Sequence, residues 1–229
     1  MKKTIIIGAG ISGLATATRL AARGFHVLVL EQSETYGGKI ASFGIDGFRF
    51  DMGPSLFVLP EQVDELFRLS GRKMEDYLQL QPLSVSCDYH FPNGERIRAW
   101  SHPDRFCDAF SEQGGNSQAL KKYLERQKFL YQHTSDFFLF RSIHRLSSYL
   151  GPAGRKSLKA LHRLDAFHTM HYRNQKTFGD GPLTQLFDRY ATYNGSDPYR
   201  APATLNMIAH LEHSRGAFFP VTGMRGIVD

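Results

Sequence analysis

Three glycines near the start of the chain have the spacing that lets a protein backbone approach a diphosphate. They lie in the G-x-G-x-x-G pattern Gly8-Ala9-Gly10-Ile11-Ser12-Gly13. In this pattern the first glycine permits a tight turn, the second admits a pyrophosphate, and the third lets a helix pack against a strand. The N–H groups at the start of such a helix, here those of Ile11 and Ser12, attract the negative charge of the phosphates. The pattern therefore predicts a dinucleotide-binding loop.

The elements expected around these glycines fit that interpretation. The apolar, β-branched run Thr4–Gly8 predicts a buried strand, Ile11–Arg23 predicts a helix ended by Gly24, and His26–Glu31 predicts a second strand. This strand-helix-strand order is typical of a parallel sheet. Glu31 ends the second strand, where a carboxylate binds the adenosine ribose hydroxyls and repels a 2′-phosphate. NAD and FAD are therefore favoured over NADP.

A second pair of glycines favours FAD over NAD. Gly37 and Gly38 have no side chains, so the backbone there can lie close to the cofactor. The cation of Lys39 is positioned to meet the diphosphate. An ordinary turn with a solvated lysine is the alternative.

The run from Ile5 to Ser42 resembles the superfamily of flavin-containing amine oxidases and carotenoid desaturases. Its second signature, R-x-G-G-[RK]-x-x-[ST], corresponds here to Thr35-Tyr36-Gly37-Gly38-Lys39-Ile40-Ala41-Ser42, in which Thr35 replaces the arginine.

Later motifs narrow the resemblance to the phytoene desaturase branch. The first of them reads Gly47-Phe48-Arg49-Phe50-Asp51-Met52-Gly53-Pro54-Ser55. Its Gly53-Pro54 bend and Ser55 are expected to lie against the flavin ring, and a structural turn capped by Asp51 is the alternative. The runs Arg189–Tyr199 and Phe218–Met224 also resemble this branch, with Thr222 in place of a usual glycine. Within the branch the chain is most similar to desaturases of hydroxylated carotenoids, through the runs Ser55-Leu56-Phe57, Tyr193-Asn194-Gly195-Ser196 and Leu211-Glu212-His213.

The resemblance implies an α/β fold and the dehydrogenation of a polyene. A doubly wound, Rossmann-like FAD-binding domain would be interrupted by a helix-rich substrate domain, with residues 1–80 in the FAD-binding part and 81–229 in the substrate-facing part. Arg189, Tyr190 and Tyr193 are the candidates for substrate contact. No catalytic acid or base is predicted, and either a quinone or O2 remains open as the final electron acceptor.

Two rival functions remain open at this point. One is another flavin oxidase, of the amine oxidase or protoporphyrinogen oxidase type. The other is an inactive fragment that acts only as a binding or membrane-peripheral domain. The second flavin-contacting stretch that the family has near its C-terminus does not occur in this sequence, so we expect a truncated chain that is inactive by itself.

Composition and charge bear on the compartment and the partners. The chain has 229 residues, 41% of them hydrophobic, and a formal charge of +6. No apolar run reaches the roughly 20 residues of a membrane span. No signal peptide is predicted at the N-terminus. Cys87 and Cys107 have neither redox nor metal spacing, and two buried free thiols in a reducing cytoplasm are expected. His162, His168 and His171 do not predict a metal site, because no carboxylate or cysteine joins them at ligand spacing.

The positive charge is concentrated in one stretch. Residues 137–176 hold eight Lys or Arg residues against one acid, Asp165. A basic stretch with interleaved aromatic residues suits an anionic membrane surface, and a solvated basic face is the alternative. No nucleic-acid-binding motif occurs, so nucleic acid is not expected as a partner. The sequence predicts a cytoplasmic protein, peripherally associated with the inner membrane, that takes an apolar carotenoid-type substrate.

Overall fold

The computed structural model describes residues 2–140, 144–145, 151–152, 154–155 and 160–229. The chain forms two compact units: unit 1 comprises Met1–Leu83 and Ala217–Asp229, and unit 2 comprises Ser84–Gly216. The sequence predicted a first domain of residues 1–80 and assigned no later segment of the chain to it. The C-terminal segment lies in unit 1 because its strand pairs with the last strand of the stretch Met1–Leu83.

Unit 1 begins with the predicted strand-helix-strand motif, which the structure confirms. Its elements are β1 (Lys3–Ile7), α1 (Ile11–Ala21) and β2 (His26–Leu30). The two strands run parallel, with Lys3 opposite His26 and Ile7 opposite Leu30. Parallel strands are normally covered on both faces. Here one face is open: Ile7 is 88% exposed, and Ile5, Leu28 and Leu30 are exposed beside it.

The rest of unit 1 forms two antiparallel strand pairs and a helix. They are the hairpin β3 (Ser42–Ile45) and β4 (Phe48–Asp51), α2 (Glu61–Leu69), and β5 (Leu80–Leu83) paired with β8 (Ala217–Pro220). A small apolar core joins them, made of Ile40, Phe57, Leu78 and Met224. This core fixes the C-terminal segment beside the chain that follows the second glycine pair.

Unit 2 starts with a hairpin whose turn contains Asn93-Gly94, a dipeptide typical of tight turns between strands. Strands β6 (Val85–His90) and β7 (Arg96–Trp100) pair antiparallel, and Gly94 takes a φ of +85° in the turn. Among the described residues, the helices of seven or more residues that follow are α3 (Pro103–Glu112), α4 (Ser117–Phe138), α5 (Met170–Phe178) and α6 (Pro182–Asp188). Two side-chain caps start two of the helices: Asn116 accepts from the N–H of Ala119, and Thr169 accepts from the N–H of Tyr172.

Polar contacts join α5 to α6 and so position the chain that follows. The carboxylate of Asp188 accepts from Asn174 Nδ2 at 2.8 Å and lies 2.7 Å from His171 Nδ1. Directly after α6, the chain continues as a 3₁₀-helix, Arg189–Asn194. Farther along, a π-helical turn, Leu211–Arg215, precedes β8. These two segments carry the polar network described below.

Several sequence-based expectations are modified by the structure. Throughout the described part of the chain, each sheet has two strands, so the expected doubly wound sheet is not formed there. Both cysteines are free, but only Cys107 is buried, because Cys87 lies on the partly exposed hairpin. Within the described residues, no helix has the length and apolar character needed to cross a bilayer. Much of the basic stretch, including Lys156 and Lys159, lies outside the described residues.

Candidate functional site

The first glycine loop requires glycine at two of its positions, at one for its backbone conformation and at the other for lack of space. Gly8 has a φ of +99°, which favours glycine. A Cβ at Gly13 would lie 2.0 Å from the carbonyl oxygen of Gly8, so α1 packs on the loop only because Gly13 has no side chain. Gly10 differs, because the nearest atom to a Cβ there is Gly38 Cα at 3.9 Å. The protein itself leaves space at Gly10.

The second glycine pair lies against this first loop. Gly37 pairs with Gly10 in an isolated parallel bridge, and its N–H donates to the carbonyl of Ala9 at 2.8 Å. A Cβ at Gly38 would lie 3.1 Å from Gly10 Cα, and both residues of the pair have positive φ, +106° and +61°. The two motifs that the sequence separates by a strand are thus brought together by close backbone contact.

The third predicted segment meets the second at Gly53. A Cβ there would lie 1.9 Å from the carbonyl oxygen of Lys39, so only glycine fits. Gly53, Pro54 and Ser55 are exposed on unit 1, as are the side chains of Ile11, Ser12 and Lys39. The structure therefore collects all three glycine segments on one unit, with exposed residues next to them. Their part in cofactor binding remains a prediction.

Glu31 has a role in the loop that the sequence did not indicate. Its Oε2 accepts from the N–H of Ala9 at 2.7 Å, and its Oε1 accepts from the N–H of Ser33 at 3.0 Å. These backbone donors, Ser33 first, lower the pKa of the carboxyl group, so it is ionised at neutral pH. A carboxylate has four lone-pair positions. Glu31 therefore closes the loop and still has acceptor capacity for two ribose hydroxyls.

Asp51 and Arg49 connect the hairpin to the C-terminal segment, a contact the sequence did not predict. Asp51 Oδ2 accepts from the N–H of Met224 at 3.0 Å, while its Oδ1 is buried and has no partner. The guanidinium of Arg49 would lie 2.6 Å from a Cβ at Gly223. The Arg49-Phe50-Asp51 run and Gly223 were recognised separately as motifs, but nothing in either run specifies that they meet.

These features fit a bound dinucleotide. The space at Gly10 faces no protein atom within 3.9 Å, and α1 begins there without a side-chain cap on its N–H groups. Uncapped N–H groups beside a glycine form the usual arrangement for a pyrophosphate. The orphaned Asp51 Oδ1 is a further buried acceptor without a protein donor. The residues present therefore suit FAD.

Unit 2 contains a second polar site, centred on a fully buried carboxylate. Glu212 is 0% exposed, and both its oxygens accept from Arg189 Nη2, at 3.0 and 3.1 Å. The hydroxyl of Tyr190 donates to it at 2.9 Å, and that of Tyr193 donates to its other oxygen. His213 lies 2.8 Å from the Tyr190 hydroxyl through Nε2. We call these five residues the Glu212 network.

The electrostatics of the network define its protonation state. Burial by itself raises the pKa of Glu212, but the charge of Arg189 and the hydrogen bond from Tyr193 outweigh it, so the pKa is lowered. Burial raises the pKa of Tyr190 and Tyr193 and lowers that of His213. At pH 7 the network therefore holds an ion pair between Glu212 and Arg189 together with two protonated phenols.

The predicted substrate residues differ in their access to solvent. Tyr193 is 39% exposed, Arg189 is partly exposed, and Tyr190 is 0% exposed. The sequence prediction gave no site role to Glu212 and His213, which join these three residues. The signal available was a Leu-Glu-His run, in which a carboxylate and an imidazole follow an apolar residue.

Comparison with known proteins decides the family. The family model of flavin containing amine oxidoreductases matches residues 11–229. The chain belongs to this family. The resemblance expected from the sequence is confirmed, and the cofactor is FAD.

Two curated relatives are desaturases of hydroxylated carotenoids. The chain is 38% identical over 228 residues to 1-hydroxycarotenoid 3,4-desaturase of Flavobacterium sp., covering 99% of this chain and 46% of the relative. It is 33% identical over 213 residues to hydroxyneurosporene desaturase of Rubrivivax gelatinosus, covering 92% of this chain and 41% of the relative. The chain thus spans less than half the length of these relatives.

Solved structures show the fold. A putrescine oxidase aligns with a TM-score of 0.58 at 20% identity, covering 99% of this chain and 47% of that one. An oxidoreductase from Methanosarcina mazei aligns with a TM-score of 0.57 at 16% identity, covering 99% and 47%. At these identities the likeness concerns the fold alone. The mixed helix and strand architecture of this chain therefore resembles the corresponding part of these two oxidoreductases.

Proposed function

We propose that this chain is part of an FAD-dependent carotenoid desaturase, which removes hydrogen from a phytoene-type or hydroxylated polyene to extend its conjugation. The observation that carries this proposal is the identity of 38% and 33% to two desaturases of hydroxylated carotenoids. The arrangement of the glycine segments on unit 1 supports it independently. When bound, FAD would accept the hydride of an allylic C–H bond, and the neighbouring carbon would lose a proton as the double bond forms.

In this proposal the glycine segments position the cofactor. The N–H groups of Ile11 and Ser12 bind the pyrophosphate beside Gly10, flanked by Gly8 and Gly13. Glu31 accepts hydrogen bonds from the adenosine ribose. The backbone of Gly37, Gly38 and Lys39 lies along the diphosphate, with the Lys39 ammonium neutralising charge. The Gly53-Pro54-Ser55 bend, which is exposed on unit 1, would lie against the flavin ring.

In this proposal unit 2 is the substrate domain, inserted into the flavin domain. Its residues lie in sequence between the two parts of unit 1. Tyr193, which is partly exposed, is the proposed substrate contact, while Arg189 and Tyr190 hold the buried carboxylate that fixes it. Residues 1–80 would then serve the cofactor, and residues 81–229 would serve the substrate and the membrane, apart from the C-terminal segment that packs in unit 1.

Turnover of a polyene by the flavin-loaded, full-length protein tests the proposal. We expect the absorption maximum of an acyclic hydroxylated carotenoid to shift to longer wavelength as each new double bond extends the conjugation. Anaerobic mixing should bleach the flavin absorption at the same time, because hydrogen leaves the polyene for the cofactor. Flavin bleaching by a primary amine such as putrescine, with none by any polyene, would instead establish the amine oxidase alternative.

We also propose peripheral binding to the cytoplasmic face of the inner membrane, because a carotenoid is nearly insoluble in water. The basic stretch from residue 137 to 176 carries eight cations against one acid. Each cation near an anionic surface contributes about 1 kcal/mol. The prediction is that the full-length protein co-sediments with anionic liposomes, less with neutral ones, and less as salt rises.

The control for this prediction is a charge-reversed variant. Arg155, Lys156, Lys159 and Arg163 changed together to Glu should release the protein from anionic liposomes while leaving its flavin absorption unchanged. Equal sedimentation with neutral and anionic liposomes, unaffected by these four changes, would show that the basic stretch is not the docking surface.

A further inference from the structure

Unit 2 contains a largely apolar cavity next to the Glu212 network. Its volume is about 470 Å³, within the range of roughly 300–1,000 Å³ that is usual for small-molecule sites. Apolar side chains form most of its wall, among them Leu139, Met207, Ile208 and Leu211. Such a wall suits a hydrocarbon segment and disfavours a charged or strongly hydrated ligand.

Few of the described residues that line the cavity are polar. Thr204 also lines it, but its hydroxyl already donates to the carbonyl of Leu164. Two polar residues at the end of the 3₁₀-helix also line the cavity, namely Tyr193 and Asn194. The Tyr193 proton is committed to Glu212, yet a phenolic oxygen can still accept a hydrogen bond. Tyr193 therefore brings to a mainly apolar wall a phenol whose oxygen keeps acceptor capacity.

The backbone connects the cavity wall directly to the buried carboxylate. Leu211 lines the cavity, and the next residue, Glu212, is fully buried behind it in the same π-helical turn. Such turns occur frequently at functional sites. Arg189 and Tyr190 hold the carboxylate from the other segment. The orientation of the Tyr193 hydroxyl is thus fixed by groups that do not themselves need to touch a ligand.

We propose that this cavity binds the hydroxyl-bearing end of an acyclic polyene, with the Tyr193 oxygen accepting the hydrogen bond of the substrate alcohol. The inference rests on the proposed function and adds the residue that determines its specificity. Glu212 is the positioning residue. A polyene that ends in a hydrocarbon leaves the Tyr193 lone pair desolvated and unpaired, and sites built around such a hydrogen bond discriminate against the analogue that lacks it.

The test compares two polyenes of equal length, one with a terminal tertiary alcohol and the other with the corresponding hydrocarbon end. The full-length, flavin-loaded wild type and Tyr193→Phe are assayed with both, and Tyr199→Phe is the matched control. Tyr199 is a surface tyrosine of unit 2 that contacts the ring of His171 and does not line the cavity. Circular dichroism confirms that each variant is folded.

We expect Tyr193→Phe to raise the KM for the alcohol about fivefold to tenfold, the effect of one hydrogen bond. The KM for the hydrocarbon and the kcat for both polyenes should change little, because the phenyl ring still lines the cavity. Tyr199→Phe should alter neither substrate. A purely structural role of Tyr193 would instead change both substrates in parallel, and that result would overturn the inference.

Equilibrium binding, read from the shift in polyene absorption, separates this inference from the proposed function. The wild type should bind the alcohol more tightly than the hydrocarbon, and Tyr193→Phe should lose the preference. Equal binding of the two polyenes by the wild type overturns the inference even if both are desaturated. Absence of turnover with every polyene overturns the proposed function.

Discussion

Replacing Gly10 with valine should abolish FAD binding while unit 1 stays folded. Gly10 has a φ of −71°, which any residue adopts, and a Cβ there would meet no protein atom closer than 3.9 Å. The valine methyl groups would fill the space beside the first N–H groups of α1. A pyrophosphate would then lose its approach to them. We expect affinity for FAD to fall at least about 100-fold, or close to 3 kcal/mol.

Two further glycine variants make this result specific. Gly181→Val is the matched control, because Gly181 also precedes a helix, has extended backbone at φ 176° and would have no atom within 4 Å of an added Cβ. That variant should keep its flavin. Gly13→Ala should instead disturb the fold, because its Cβ would lie 2.0 Å from the carbonyl oxygen of Gly8. A Gly10→Val protein that purifies with one FAD per chain would refute this site.

The second large effect is expected at Glu212. Glu212→Ala should lower the free energy of unfolding by about 3–5 kcal/mol, because it leaves Arg189 without its buried partner and two tyrosine hydroxyls without an acceptor. Urea titration followed by circular dichroism measures this change. The matched control is Glu75→Ala, which removes a carboxylate that is 78% exposed and 4.0 Å from Lys73. Such surface pairs contribute about 0–1 kcal/mol.

The same carboxylate predicts a pH dependence with a defined sign. The folded protein holds the pKa of Glu212 below its ordinary value of 4.5. The ionised carboxylate therefore stabilises the fold fully above pH 4.5, and this stabilisation is lost as the pH falls through the lowered pKa. Glu212→Gln, which has no charge to lose, should show a smaller decrease in stability on acidification. Identical acid profiles for the variant and the wild type would contradict this assignment.

Residues close in sequence were sufficient to predict the dinucleotide motif. The strand-helix-strand order and the Gly8, Gly10 and Gly13 spacing depend on a short segment, in which the steric needs of a turn leave few alternatives. The same holds for the hairpin at Asn93-Gly94, whose turn requires positive φ. The family could be predicted from these local motifs, because the superfamily signature consists largely of glycines at positions where backbone segments lie close together.

The tertiary structure alone decided which distant groups meet. Nothing near Asp51 specifies that its carboxylate accepts from Met224, and nothing near Leu80–Leu83 specifies pairing with Ala217–Pro220. Glu212 is one acid among the 22 of the chain, and only burial beside Arg189, Tyr190 and Tyr193 distinguishes it. Local sequence determines backbone conformation, whereas desolvation and pairing of side chains depend on groups that folding brings together from far apart in the chain.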